Sequence, residues 1–502
     1  MSQAAPKIKR APIMVALIIG AFVAILNQTL LNVALPKIME SLSISTNTAQ
    51  WLMTGFMLVN GVLIPISAYL IGKFSTRQLF ITAMALFTLG TLLCAVSGNF
   101  GLLMTGRVVQ ALGAGILMPL MTVVTLTIFP VEERGKAMGV MGIAMIFAPA
   151  VGPTLSGWIV QHYDWNVLFY MLLPLSAIAL IFGIFFIKNV GQRTNPKLDT
   201  LGVILSTLGF GGLLFGFSEA GNSDEGWGST TVIVSLAIGA VTLVLFAIRE
   251  LRTSGPVLEF RVFKYNMFSL TTVINVIVTM AMFAGMVLTP IYLQNILGFT
   301  PVKSGLLLLP GAIVMGLMMP VTGAIFDKIG ARWLAVIGLA ITAAATWEFT
   351  RLTVDTTYTH LIWVYTIRMF GMGLLMMPIQ TAGLNQLPQR LNAHGSAMSQ
   401  TLRNVAGALG TALLVSIMSN KTRSVLTETI ISQGIKPTDA AKMLDATRHA
   451  TVTGINHAFL YSFWFTIAAL VLAFFIQKTR PSEEQAKETQ TAQPAAASSA
   501  QS

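Results

Sequence analysis

Three arginines, Arg107, Arg368 and Arg403, stand inside long apolar stretches of the chain. A guanidinium near the middle of a membrane-crossing helix costs on the order of 3 kcal/mol by insertion scales, so such a residue turns to a cavity or a partner. Arg107 lies in the segment Gly106-Arg107-Val108-Val109-Gln110-Ala111-Leu112-Gly113-Ala114-Gly115. On a helix Arg107 and Gln110 share one face, and the small residues let another backbone approach. Arg107 is the first candidate for a functional charge; pairing with backbone carbonyls is the structural alternative. Arg368 occupies the matching place in the second half of the chain, followed by Gly371 and Gly373. There a structural and a functional role are equally compatible with the residues. Arg403, beside Asn404, also reads as a side chain that snorkels to the surface.

Other polar groups are few. Asn27, Gln28 and Asn32 bring uncharged amides into the first apolar stretch, as candidates for ligand contact or for hydrogen bonds between helices. Gly142, Pro149, Gly152, Pro153 and Gly157 fall within sixteen residues, a density that implies close packing and a bend. The turn holding Asp327, Gly330 and Arg332 is equivalent to one holding Gly72 and Arg77, and only the second keeps an acid. Asp327 there has the position to cap helix ends and latch one conformation. No Asp or Glu lies at the centre of any apolar run, and the nearest are Glu219 and Glu348 at run ends. Each is a candidate proton carrier, against the plainer reading of a solvated helix end. There is no Walker-type phosphate loop, metal-ligand cluster or nucleophile elbow, and the five histidines are scattered. ATP drive within this chain, a metal cofactor and an enzymatic role are all without support in the residues.

The elements that must carry these residues follow from composition. The chain is 54% hydrophobic and 10% charged, against about 25% charged for a soluble domain, which excludes a water-soluble protein. A bilayer core takes roughly 20 apolar residues per helix. Fourteen such runs are predicted, near 12–35, 49–71, 79–97, 101–128, 137–160, 168–187, 201–218, 230–248, 267–290, 304–326, 332–349, 361–381, 396–418 and 456–477. The first run is too long for a cleaved signal and is expected to be retained. The single cysteine, Cys94, lies inside the third run and rules out an intrachain disulfide. The net charge of +12 comes from short loops rather than one domain face, so it argues against nucleic acid and reports orientation. Placing the amino terminus inside puts 20 of the 31 basic residues in cytoplasmic segments, and both termini are expected in the cytoplasm.

The chain also repeats itself. Pro65 and Pro320, and Arg77 and Arg332, are 255 apart; Pro36 and Pro290 are 254 apart; Arg107 and Arg368 are 261 apart; Pro119 and Pro378 are 259 apart. The expected organisation is a cytoplasmic amino terminus (1–11), a six-helix bundle (12–190), two inserted helices with linkers (191–266), a second six-helix bundle (267–477) and a disordered cytoplasmic tail (478–502). The only long loop, on the outer side, is expected at 419–455, with polar and short apolar stretches that are also compatible with amphipathic helices on the outer surface. The fold class is all-α, with two parallel repeats about a central cavity, which describes a transporter.

At these residues the chain resembles the major facilitator superfamily, and within it the fourteen-helix drug:proton antiporters of the lincomycin-resistance type, over residues 12 to about 477. Ala148-Pro149-Ala150-Val151-Gly152-Pro153-Thr154-Leu155-Ser156-Gly157 is similar to the antiporter motif of helix 5, and Trp165, Phe169 and Tyr170 match the aromatic stretch after it. Arg107, Gln110, Gly113 and Gly115 match the helix-4 motif, whose arginine the resemblance assigns to proton coupling. The loop motif between helices 2 and 3 is degenerate, with Ala68, Gly72 and Ser75 where glycine, aspartate and glycine are usual. Asn27 stands where the family commonly has an aspartate. The resemblance implies a monomeric transporter that exports small amphiphilic drugs through the cell membrane, driven by a proton gradient and without a cofactor. A metabolite transporter of narrow specificity on the same fold is the alternative.

Overall fold

In the computed structural model the described residues are 10–190, 198–222, 226–253, 255–435 and 439–477. They form fourteen long helices, each long and apolar enough to cross a membrane: α1 (Arg10–Leu42), α2 (Thr46–Lys73), α3 (Thr76–Ala95), α4 (Phe100–Ile128), α5 (Arg134–His162), α6 (Asn166–Phe186), α7 (Thr200–Asn222), α8 (Thr230–Arg252), α9 (Asn266–Ile291), α10 (Pro301–Ile329), α11 (Ala331–Glu348), α12 (Tyr358–Leu384), α13 (Asn392–Gln433) and α14 (Ala440–Ala473). Helices are what lipid demands, because every backbone donor and acceptor is then satisfied within its own segment.

Short polar residues set where helices begin. The Asn99 side chain accepts the Leu102 amide at the start of α4, and Ser75 with Gln78 forms a reciprocal capping box on α3. At the other end of an element, Gly330 takes φ 84° between α10 and α11, a conformation that a side chain would strain.

The internal repeat is visible in the packing. In the first unit α1 packs on α5 and α6, α2 on α4, and α3 on α4 and α6; in the second α9 packs on α13 and α14, α10 on α12, and α11 on α12 and α14. The two units meet along α5 and α10. The equivalent seam, between α2 and α13, also receives the inserted α7, with α8 packed behind it. Glycine lets the helices approach. A Cβ on Gly90 would lie 2.5 Å from the Gln110 amide nitrogen, and one on Gly106 2.9 Å from the Cys94 nitrogen, so α3 and α4 touch backbone to backbone.

Of the two forms expected for residues 419–455 the structure takes the helical one: α13 runs through 419–433 and α14 through 440–455, and residues 436–438 between them lie outside the described set. α13 has 42 residues, about 63 Å at 1.5 Å per residue, twice what a bilayer core of about 30 Å requires. The turns from α2 to α3, α4 to α5 and α10 to α11 share one end of the bundle, which carries Lys73, Arg77, Arg134, Lys136, Lys328 and Arg332 and is here termed the basic face. Residues 1–9 of the expected terminal segment 1–11, most of the linker before α7 and the tail 478–502 lie outside the described residues, and Arg10 and Ala11 begin α1.

Candidate functional site

Arg107 is buried, about 10 Å along α4 from the end opposite the basic face. Its Nε donates to the Leu52 carbonyl of α2 at 3.1 Å and its Nη1 to Gln110 Oε1 at 3.0 Å. The Phe56 ring lies 4.3 Å from the guanidinium carbon, close enough for the ring face to stabilise the charge. Gln110 Nε2 in turn donates to Thr91 Oγ1 of α3 at 2.9 Å, and Asn27 Nδ2 of α1 donates to Gln110 Oε1 at 3.2 Å. Four helices thus contribute to one network of a charge and two amides. Among the described residues no carboxylate joins it.

The second unit repeats the plan with different partners. Arg368 of α12 is also fully buried; Nε donates to Thr346 Oγ1 at 3.2 Å and Nη2 to the Ala281 carbonyl at 2.8 Å. Thr91 and Thr346 are 255 residues apart, and Asn27 and Ala281 are 254 apart, so the arginine environments are equivalent by the repeat. Gly371 stands where the first unit has Gln110. With no amide there, Arg368 Nη1 has no hydrogen-bond partner. It is tucked against Gly285, where any Cβ would collide with it.

A second constellation closes the basic face. Asp327, in the last turn of α10, accepts the amide of Gly135 at 2.9 Å and that of Lys136 at 3.0 Å, at the amino terminus of α5. An anion at a helix amino terminus meets unpaired N–H groups and the positive end of the helix dipole. Beside it, Arg134 donates to the Leu126 carbonyl at 2.7 Å in its own unit and to Asn385 Oδ1 at 3.2 Å in the other. A Cβ on Gly135 or Gly323 would collide with the facing helix, and one on Gly139 would sit 2.9 Å from Pro320 Cα.

Behind this closure, α4, α5, α12 and α13 enclose a cleft lined by Met118, Met121, Thr122, Met138, Met141, Met145, Met377, Gln380 and Gln400. Its free volume is about 10 Å³, room for about one water, against several hundred Å³ for a drug-sized ligand. A solute can enter only if the two units part. Arg403, half-buried on α13, reaches Gln380 Oε1 of the cleft wall with Nη1 at 3.4 Å.

Gly152 packs onto Thr29, and Ser156 Oγ donates to the Leu30 carbonyl at 2.6 Å, so this part of α5 seats α1; Gly157 faces Val302 of α10. Pro149 is half-buried in an unbroken α5, while the side chains of Pro153 and Asn32 lie outside the described residues. Gln28 is half-buried and outside the Arg107 network. Glu219 and Glu348 are half-buried at helix ends, and neither pairs with an arginine of the interior. Arg77 donates to the Ile184 carbonyl at 2.8 Å within its own unit, and Arg332 is exposed beside Trp333. Of the four residues expected at the gate, Asp327 hydrogen-bonds to the other unit, while Gly330 shapes the turn after it.

Sequence reasoning missed three features. Thr91 and Thr346 obey the 255-residue offset and were findable from it. Arg134 carries no signal beyond that of a basic residue in a short turn, and its partner Asn385 has no local signal. Glu250, at the end of α8, is fully buried; Oε2 accepts the Leu258 amide at 3.1 Å and Oε1 has no partner. It stands next to the pair of Arg249 and Asp199, where the guanidinium holds the Asp199 carboxyl below its usual range.

Residues 17–411 match the Major Facilitator Superfamily. The chain is 49% identical to the "uncharacterized MFS-type transporter YhcA" of Bacillus subtilis over 93% of both chains. It is 43% identical to the lincomycin resistance protein LmrB of the same organism, over 95% of this chain and 98% of that protein. The probable multidrug resistance protein EmrY of Escherichia coli is 29% identical over 83% of this chain and 82% of its own. In fold, the crystal structure of the human organic anion transporter MFSD10 superposes with a TM-score of 0.61 at 12% identity, covering 92% of this chain and all of that one.

Proposed function

This chain belongs to the major facilitator superfamily, and on that premise we propose that it exports amphiphilic toxic compounds across the cell membrane in exchange for protons. The observation that carries the reading is the methionine-lined cleft between the two units, collapsed in this conformation and closed by contacts that can be undone. Thioether side chains are flexible and polarizable, and they adapt to ligands of several shapes. Relatives named for lincomycin and multidrug resistance share nearly the whole length of the chain.

The basic face is taken as cytoplasmic by the positive-inside rule, with both termini there and a single chain as the working unit. Opening that face breaks the hydrogen bonds of Asp327 to α5 and of Arg134 to Asn385. Each bond to a charged group is worth about 1.5–3 kcal/mol, an amount that substrate or proton binding can supply. Arg107, held in a network of uncharged partners, is assigned to coupling: its fixed charge biases the proton affinity of groups that approach when the units rock.

The test uses everted vesicles loaded with a pH-sensitive dye and an inside-acid gradient, to which lincosamides, dyes and metabolites are added singly. Dissipation of the gradient by a drug only in vesicles carrying the intact chain supports exchange with protons. Accumulation of a labelled solute with the gradient untouched refutes proton coupling, and movement of metabolites alone refutes drug export.

A further inference from the structure

We propose that the substrates of this transporter are neutral or anionic amphiphiles, and that permanent organic cations are rejected. The inference rests on the reading of the methionine-lined cleft as the substrate site.

The wall of the cleft offers thioethers, the amides of Gln380 and Gln400, and the Thr122 hydroxyl, with no carboxylate. The charged group bonded to that wall is a cation, Arg403, which donates to Gln380 at 3.4 Å and has no acid partner among the described residues. The flanking bundles add Arg107 and Arg368, both fully buried and bonded only to carbonyl, amide and hydroxyl oxygens. The acids of the chain lie at helix ends, in turns or in the terminal tail. Asp327, which joins the two units at the basic face, has both oxygens engaged by the amides of α5.

A cation entering such a space loses its hydration, finds no counter-charge and meets a guanidinium of its own sign. A neutral amphiphile needs only the thioethers and one or two amide hydrogen bonds. An anion gains Arg403 and the amide N–H groups as charge-assisted donors. The same walls that tolerate many shapes therefore sort solutes by charge, through the absence of an acid that a cation would need.

The experiment is a competition assay on the full chain in proteoliposomes, with neutral N-phenylnaphthylamine as the transported probe. Its competitors are tetraphenylphosphonium and an aryl sulfonate of similar size. The sulfonate is expected to compete at least tenfold better than the phosphonium. Gln400→Glu, which brings a counter-charge to Arg403, and Arg403→Gln should each narrow that ratio severalfold. Phosphonium competing as well as sulfonate in the unaltered chain overturns the inference, as does a ratio that neither variant moves. Met121→Trp and Met145→Trp, made separately so that one may misfold without loss of the test, fill the cleft. If a well-folded one of them moves the probe at the original rate, the cleft is not the substrate site, and the reading beneath the inference fails for a reason unrelated to charge.

Discussion

Asp327 and Gly135 belong to different six-helix units, yet the Asp327 carboxylate accepts the Gly135 amide at 2.9 Å and caps α5 from outside. Neither residue is joined to the other by any local element of structure; α10 and α5 are 192 positions apart at this contact. The cap therefore joins the two units at the basic face, and on the proposed mechanism it is lost when that face opens.

Removing its charge should loosen that face. Asp327→Asn keeps one acceptor but loses the favourable interaction with the α5 dipole, a change of about 1–2 kcal/mol. In a chain with Cys94→Ala and Met138→Cys, a hydrophilic maleimide added at the basic face should label the cleft several-fold faster when Asp327→Asn is present. An unchanged rate would show that other contacts hold the closure.

Arg107 makes directional bonds to a carbonyl and an amide and lies against an aromatic face. Lysine has the charge but not the planar fork. Both Arg107→Ala and Arg107→Lys should insert normally and lose transport, the lysine variant by at least tenfold. Full activity in the alanine variant would remove Arg107 from the coupling machinery.

Gly90 places α3 against the very turn of α4 that holds Gln110. Gly90→Ala forces the two backbones apart, and overpacking of this kind costs about 1–3 kcal/mol. The thermal unfolding midpoint should fall by several degrees. A midpoint equal to the parent would mean that α3 and α4 shift freely.

Asp199 caps α7 through the Gly202 amide and pairs with Arg249, which holds its carboxyl below the ordinary value of 3.8. A depressed carboxylate contributes stability that is full above its unfolded value and is lost as pH falls through its lower folded value. Asp199→Asn should therefore lower stability at neutral pH and flatten the further decline below about pH 4. Parallel pH profiles for parent and variant, followed by thermal unfolding in detergent, would refute the contribution.

How much of this was legible beforehand depends on the range of the interaction concerned. Fourteen spans, the duplicated unit with two inserted helices, and Arg107 beside Gln110 follow from hydrophobic runs, fixed offsets and helical spacing, all of which act over a few residues or repeat along the chain. For 419–455 the sequence left loop and helix open, because its polar composition suits a water-exposed helix as well as a loop. That helix is fixed by continuing α13 and α14, not by an apolar run of its own.

By itself the sequence determined a membrane protein of two related halves with charges buried in its helices, because lipid leaves an apolar run of this length one conformation. Which groups those charges meet was decided only in three dimensions. Arg107 found an amide network where Arg368 found a threonine hydroxyl, a carbonyl and a glycine. Arg134 found Asn385 across the seam, and Glu250 found the Leu258 amide under the α8 terminus. Those partners come from helices whose order in the chain says little about their packing, so the contacts exist only once the two units and the inserted pair have closed on one another.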